Sequence, residues 1–342
     1  MEKRSIMKKE VLNQNDRSLR SVTQKIGFAM LLFLGVFFIL NMIAPLVSAF
    51  LRFLFRKGVL SYVLSEILYM LTYFLSFFIP TVVLIRVIGK ESLPKIQGRQ
   101  KMKQLTPFLV SGAIAVNFAA AYLNQFLVTT LLPNSQTSFT ASAENWYQLL
   151  FSILSVAVVP AVCEELLFRG VVLKALIPYG RATAILTSAV LFGLMHGNPL
   201  QLFYTTLLGV VIGYLYVRTG SLLLCMLIHF VNNGISCLQE YWLSLSDRNL
   251  AVRLASGLEI FMICLGAVSI VFLMIKQRKR KAPEDEGSFG IIFEPSLDYE
   301  ERPITKKRKL RLLLSPSMIA FLILSGASML MMILDFFLEV IS

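Results

Sequence analysis

Long apolar runs separated by short polar segments dominate the pattern of this chain. A helix needs about 20 mostly apolar residues to cross a bilayer. Because lipid offers no partner to backbone N–H and C=O groups, each such run is predicted to be helical. Together they predict an all-α, polytopic transmembrane helical bundle with an eight-helix body and a ninth, C-terminal span. The nine runs are 27–50, 59–85, 107–132, 147–175, 183–197, 199–217, 220–238, 254–275 and 313–338.

Composition and charge agree with a membrane protein. The 342 residues are 56% hydrophobic and only 15% charged, although the net charge is +13. Most Lys and Arg residues fall in three polar segments, 1–25, 86–103 and 276–311, whereas 133–146 has none. This distribution argues against nucleic-acid binding. It indicates a multi-pass protein of a bacterial-type plasma membrane with a cytoplasmic N-terminus, in contact with anionic lipids.

The same pattern divides the chain into four parts. Residues 1–26 form a basic cytoplasmic N-terminus, and 27–275 form the transmembrane body. Residues 276–312 form a charged cytoplasmic linker, predicted to be mostly disordered because basic ends flank an acidic, proline-containing middle. Residues 313–342 carry the last span, expected to be an appendage. The four cysteines lie in apolar stretches without a CxxC pair and are predicted to be small buried hydrophobes.

The stretch VCEELLFRG, 162–170, places charges inside the fourth apolar run. Inserting a charged side chain near the bilayer centre costs on the order of 3 kcal/mol, so the presence of these charges requires an explanation. Glu165 and Arg169 are four residues apart and share a helix face, which predicts a buried ion pair. Glu164 points about 100° away from that face and is left over. Pro160 is expected to kink the helix and to open room beside Glu164.

The only two histidines, His196 and His229, also lie in apolar runs. Phe192 precedes His196 by one turn, and Asn233 follows His229 by one turn, so each pair shares a helix face. A single membrane histidine often has a packing role. Together with Glu164, however, these side chains are what acyl transfer or hydrolysis needs, namely a base for water and donors for an oxyanion.

At these residues the chain resembles the CAAX-protease and bacteriocin-processing family of intramembrane endopeptidases, also called Abi proteins. The three family motifs EExxxR, FxxxH and HxxxN stand here, in order, at 164–169, 192–196 and 229–233. The RTGSLLL segment, 218–224, is also similar to the family. The resemblance covers a motif core of about 147–240.

The resemblance implies an endopeptidase that cleaves a peptide or another membrane protein. It implies that Glu164 and His196 activate water, and that His229 and Asn233 bind the oxyanion. Glu165 and Arg169 would then be supporting residues, together with Phe192. The substrate stays open between a prenylated protein and a pheromone-like or bacteriocin-like peptide.

Two other function classes and one cofactor question stay open. The same residues could form the polar core of a catalytically silent immunity or binding protein, or serve a proton-coupled transporter, although no inverted repeat is visible. No cofactor is required by the pattern, but Glu164, His196 and His229 are also a ligand set that zinc accepts. The HExxH spacing is absent. The residues therefore favour a metal-independent site.

Overall fold

The computed structural model describes residues 2–56, 58–90, 93, 95–96, 104–131, 143–244, 247–278, 297–298, 302, 304 and 306–341. Within these ranges, β structure is limited to two strands of two residues, β1 (Lys95–Ile96) and β2 (Leu297–Asp298). The predicted all-α class is confirmed. The helices are α1 (Glu2–Leu54), α2 (Val59–Ile88), α3 (Thr106–Leu131), α4 (Trp146–Tyr179), α5 (Arg181–Met195), α6 (Pro199–Thr219), α7 (Leu222–Leu243), α8 (Arg248–Arg278), α9 (Lys306–Leu313) and α10 (Pro316–Ile341).

Each of the nine predicted spans corresponds to one of these helices. Among the described residues, eight helices are long and apolar enough to cross a membrane, namely α1 to α4, α6 to α8 and α10. Helix α5 is the exception, since its 15 residues fall short of the length that a bilayer requires. The chain is therefore an integral, multi-pass membrane protein.

Three helices differ from the predicted pattern. Helix α1 begins at Glu2 and not near residue 27, because a polar N-terminal extension continues the same helix. Helix α4 contains two π-helical stretches, Ile153–Val158 and Leu166–Leu173, which hydropathy does not reveal. Helix α9 occupies the end of the segment predicted to be mostly disordered. Most of the remaining linker, 279–296, lies outside the described residues.

The chain divides into two compact units. The first consists of Met1–Lys95, Cys163–Leu202 and Asp298–Ser342, and the second of Ile96–Val162 and Phe203–Leu297. The boundary at 162/163 falls inside α4, one residue before Glu164.

In the first unit, α1 packs against α2 and α10. The contact with α10 is close, because a Cβ atom at Gly27 would overlap the backbone of Ser317 and Met318. The Ser317 hydroxyl donates to the Gln24 carbonyl at 2.6 Å, and the Thr23 hydroxyl donates to the Leu312 carbonyl at 2.9 Å. The last span, expected as an appendage, is thus part of the packed first unit.

In the second unit, α3 packs along α8, and α7 packs against both α8 and the first π-helical stretch of α4. The Ser111 hydroxyl donates to the Ser269 hydroxyl at 2.7 Å, and Gly266 admits the Ser111 backbone at close range. The cysteine prediction holds for Cys163 in the first unit and for Cys225 and Cys237 in the second, which are buried. It is wrong for Cys264, which is exposed.

Candidate functional site

The predicted ion pair of α4 is present. Arg169 Nη1 lies 2.9 Å from Glu165 Oε1, and both side chains are almost fully buried. The guanidinium also lies over the Phe192 ring, with Cζ 4.6 Å from the ring centroid. A cation–π contact of this kind is worth about 2 kcal/mol when it is desolvated. Arg169 is therefore held by a carboxylate on its own helix and by an aromatic ring on α5.

Phe192 also joins α5 to α4 by apolar contact. Its ring meets the Phe168 ring edge to face, with centroids 5.3 Å apart and an interplanar angle of 88°. One turn before Phe192, the Ser188 hydroxyl donates to the Phe168 carbonyl at 3.1 Å. The Phe192 ring thus contacts Arg169, Phe168 and His196.

Glu164 is buried, with 2% of its surface exposed. Its Oε1 atom accepts a hydrogen bond from the Tyr73 hydroxyl on α2. The Tyr73 ring in turn lies between Tyr69 and Phe77, at centroid distances of 6.3 and 5.0 Å. Tyr73 was not among the predicted site residues. It is one of several aromatic residues in an apolar run, 91 positions from Glu164, and carries no motif of its own.

His196 is the C-cap residue of α5, directly after Met195, and is half-buried. Its Nδ1 atom lies 2.8 Å from the Phe192 carbonyl oxygen. Because a carbonyl oxygen only accepts, this bond places the proton on Nδ1 and leaves Nε2 of the neutral ring with its lone pair. Gly197 follows with φ +63°, a conformation that favours glycine, and ends the helix there.

In the second unit, His229 and Asn233 lie one turn apart on α7. His229 is buried, with 3% of its surface exposed. The Asn233 amide donates from Nδ2 to the Val156 carbonyl at 2.9 Å. Val156 lies in the first π-helical stretch of α4, four residues before Pro160. The bond from Asn233 therefore joins α7 to this π-helical stretch.

A hydrogen-bonded cluster, formed by Asn117, Tyr204 and Asn232, supports Asn233. The Asn232 amide donates to Asn233 Oδ1 at 3.0 Å and to the Tyr204 hydroxyl at 2.8 Å. The Asn117 amide donates to the Tyr204 hydroxyl at 3.1 Å and also to Asn232 Oδ1. Neither Tyr204 nor Asn232 was among the predicted site residues. The only available signal was the Asn232–Asn233 doublet within an apolar run.

The predicted residues fall into two sets. Glu164, Glu165, Arg169, Phe192 and His196 belong to the first unit, where Phe192 directly contacts Arg169 and His196. His229 and Asn233 belong to the second unit. Among the described residues of either unit, no three His, Cys, Asp or Glu side chains are grouped so as to hold a metal ion.

The helices and these buried polar groups identify the chain as an all-α multi-pass membrane protein with ionisable side chains inside apolar spans. Residues 146–235 match a family model described as type II CAAX prenyl endopeptidase Rce1-like. This match confirms the resemblance drawn from the three motifs, and the matched segment contains every predicted site residue. It supports an intramembrane CAAX-type protease in general, a class that acts on a membrane-associated peptide or protein. Searches of curated proteins and of solved structures return no match.

Proposed function

We propose that this protein is an intramembrane endopeptidase that hydrolyses a peptide bond of a membrane-associated protein or peptide. The observation that carries the proposal is Glu164, a buried carboxylate within an apolar span that accepts a hydrogen bond from the Tyr73 hydroxyl. At an insertion cost on the order of 3 kcal/mol, such a group is expected to have a function. The family match over 146–235, which contains Glu164, supports peptide-bond hydrolysis as that function.

In this proposal Glu164 is the general base for the attacking water. Its carboxylate takes a proton from water as the oxygen attacks the scissile carbonyl, and delivers that proton to the leaving amine. The hydrogen bond from Tyr73 orients the carboxylate. His196 assists through Nε2, because its Nδ1 proton is directed to the Phe192 carbonyl and Nε2 can accept a hydrogen bond from the same water.

His229 and Asn233 are the proposed donors to the oxyanion of the tetrahedral intermediate. A carboxamide has two N–H groups, and the bond to the Val156 carbonyl uses one of them. The bond from the Asn232 amide to Asn233 Oδ1 fixes which end of the carboxamide carries the donors. The second N–H of Asn233 is therefore pre-oriented for an oxyanion, and a donor of this kind is worth about 10²- to 10³-fold in kcat.

The proposal routes no step through a metal ion. If Glu164 were a zinc ligand, another carboxylate would have to act as base, and Glu165 is held by Arg169. Within the described part of either unit, the side chains also lack a group of three ligands. With Glu164 as the base, water activation and oxyanion binding are both assigned to residues of this chain.

Two stages of experiment test the proposal. Comparative peptidomics of cells that contain the wild-type protein or Glu164→Ala identifies cleaved substrates. Purified protein in liposomes is then assayed on such a substrate. We expect Glu164→Gln to lower kcat by about 10²- to 10⁴-fold, the contribution typical of general acid–base catalysis, while helicity is unchanged. Glu66→Gln is the matched control, since it removes another carboxylate of the first unit. Cleavage by Glu164→Gln at the wild-type rate would refute the proposal.

A further inference from the structure

A small polar cavity in the first unit lies apart from all the residues discussed above. Its volume is about 210 Å³, and its polar lining consists of the side chains of Ser18, Ser21, Lys25, Tyr179 and Arg302. Two of these are cations and three carry hydroxyl groups, and none of the described residues that line the cavity is a carboxylate. The described lining is therefore positively charged and rich in hydrogen-bond donors.

Arg302 is held in this cavity by several bonds. Its backbone N–H donates to the Pro178 carbonyl at 2.8 Å, at the end of α4. Its Nη1 atom donates to the Ser18 hydroxyl at 3.0 Å and to the Tyr179 hydroxyl at 3.2 Å, and those two hydroxyls lie 2.5 Å apart. A guanidinium has five N–H donors, and these side-chain contacts use a single nitrogen. The Arg302 side chain is thus oriented by these bonds, and its other nitrogens, Nε and Nη2, can donate to an anion.

The cavity lies at the ends of membrane spans. Ser18 to Lys25 precede the apolar part of α1, and Ile88 is the last residue of α2. Tyr179 is the last residue of α4, and Arg302 precedes α9 and α10. Val22, Ile88 and Pro178 supply an apolar part of the wall. Cations beside apolar side chains at the end of a span are the arrangement that meets lipid headgroups.

The size of the cavity limits the ligand. Ligand pockets for drug-sized molecules measure about 300 to 1,000 Å³, so a cavity of about 210 Å³ is smaller. It holds the equivalent of roughly seven waters at about 30 Å³ each. That space suits a phosphate group with its immediate substituent, whereas acyl chains would have to lie outside it. Arg and Lys are the side chains that bind phosphate by charge-assisted hydrogen bonds.

We propose that the cavity formed by Ser18, Ser21, Lys25, Tyr179 and Arg302 is a binding site for an anionic phosphate group. The group belongs either to the headgroup of an anionic phospholipid or to a free phosphate, and Lys25 and Arg302 neutralise its charge. Since Arg302 lies in the linker that leads to α9 and α10, occupancy would also fix this end of the linker against α4.

The test uses full-length protein in detergent, titrated with dioctanoyl phosphatidylglycerol and followed by native mass spectrometry. We expect one tightly bound lipid per chain. Lys25→Gln and Arg302→Gln should each raise Kd by roughly fivefold, as expected for one basic residue at a membrane surface. Arg20→Gln is the matched control, because it removes one charge from the exposed side of the same helix, outside the cavity lining. Lys25→Arg keeps the charge and should bind as the wild type does.

A second arm adds inorganic phosphate as a competitor. Displacement of the lipid by millimolar phosphate, with the same dependence on Lys25, would identify free phosphate as a ligand. Failure of phosphate to compete would identify the lipid headgroup. Either result supports the site. It is overturned if neither probe binds, or if Lys25→Gln binds both probes as tightly as Arg20→Gln does. Because the comparison uses Lys25→Gln and Arg20→Gln, its conclusion does not depend on whether Arg302→Gln folds.

Discussion

The buried ion pair of α4 permits a stability prediction that is independent of catalysis. Glu165→Gln leaves the Arg169 cation in a site where its side chain is 1% exposed. Removing one partner of a buried pair typically costs 3 to 5 kcal/mol. The Phe192 ring, 4.6 Å from the guanidinium, still offers a cation–π contact. We therefore expect the lower end of that range, about 3 kcal/mol, which is roughly a 150-fold change in the unfolding equilibrium.

A double variant at Glu165 and Arg169 separates the interaction energy of the pair from the cost of changing each residue alone. Arg169→Met alone leaves the Glu165 carboxylate buried without its cation and should also cost about 3 kcal/mol. Replacing both charges is often neutral, so Glu165→Gln/Arg169→Met should cost at most about 1 kcal/mol. The coupling between the two positions is then about 5 kcal/mol. Glu164→Gln is the matched control, since it neutralises the adjacent carboxylate, which accepts from the Tyr73 hydroxyl.

The measurement is equilibrium unfolding in mixed micelles with increasing dodecyl sulfate, followed by circular dichroism. The control should lie within about 1 kcal/mol of the wild type, because the amide oxygen still accepts from Tyr73. Single variants as stable as the wild type, or costs that simply add in the double variant, would show that this ion pair does not stabilise the fold.

The remaining predictions concern the reaction and the orientation in the membrane. Tyr73→Phe should lower kcat by roughly tenfold or more with little change in KM, because one charge-assisted hydrogen bond to Glu164 is lost; steady-state kinetics showing a change in KM alone would contradict the orienting role. Treatment with o-phenanthroline should leave cleavage intact, whereas stoichiometric zinc, found by elemental analysis and needed to restore activity, would establish a metalloprotease. Single cysteines introduced in a background without the native ones should be labelled from outside at 134–141 and from inside at 282–300, as the basic residues require; the reverse pattern would overturn the orientation.

Features set by local spacing could be predicted from the sequence. The Glu165–Arg169 pair and the contact between Phe192 and His196 both follow from a separation of four residues on a helix. The spans follow from the length of apolar runs. The start of α1 at Glu2 was missed, because hydropathy cannot detect a helix that continues into polar sequence.

Features that depend on contact between distant helices could not be predicted. Tyr73 and Glu164 are 91 positions apart, and nothing in either local sequence indicates the pairing. The Tyr204–Asn232 bond was equally unpredictable, since a tyrosine in an apolar run gives no sign that its hydroxyl bonds to a side chain of another helix. Pro160 lies two residues after the first π-helical stretch of α4, and the bond from Asn233 to the Val156 carbonyl becomes apparent only with α7 in place.

The first unit is discontinuous along the chain, and this has a consequence for how the protein is made. The ribosome produces α1 well before its neighbour α10, so α2 to α9 must be synthesised before the face around Gly27 meets Ser317 and Met318. During that interval the face is available to lipid or to a membrane chaperone. Translation that stops before α10 leaves it permanently open. The closing of this contact therefore depends on the synthesis of α10, and a copy that lacks α10 would present the small-residue face around Gly27 to a membrane quality-control protease.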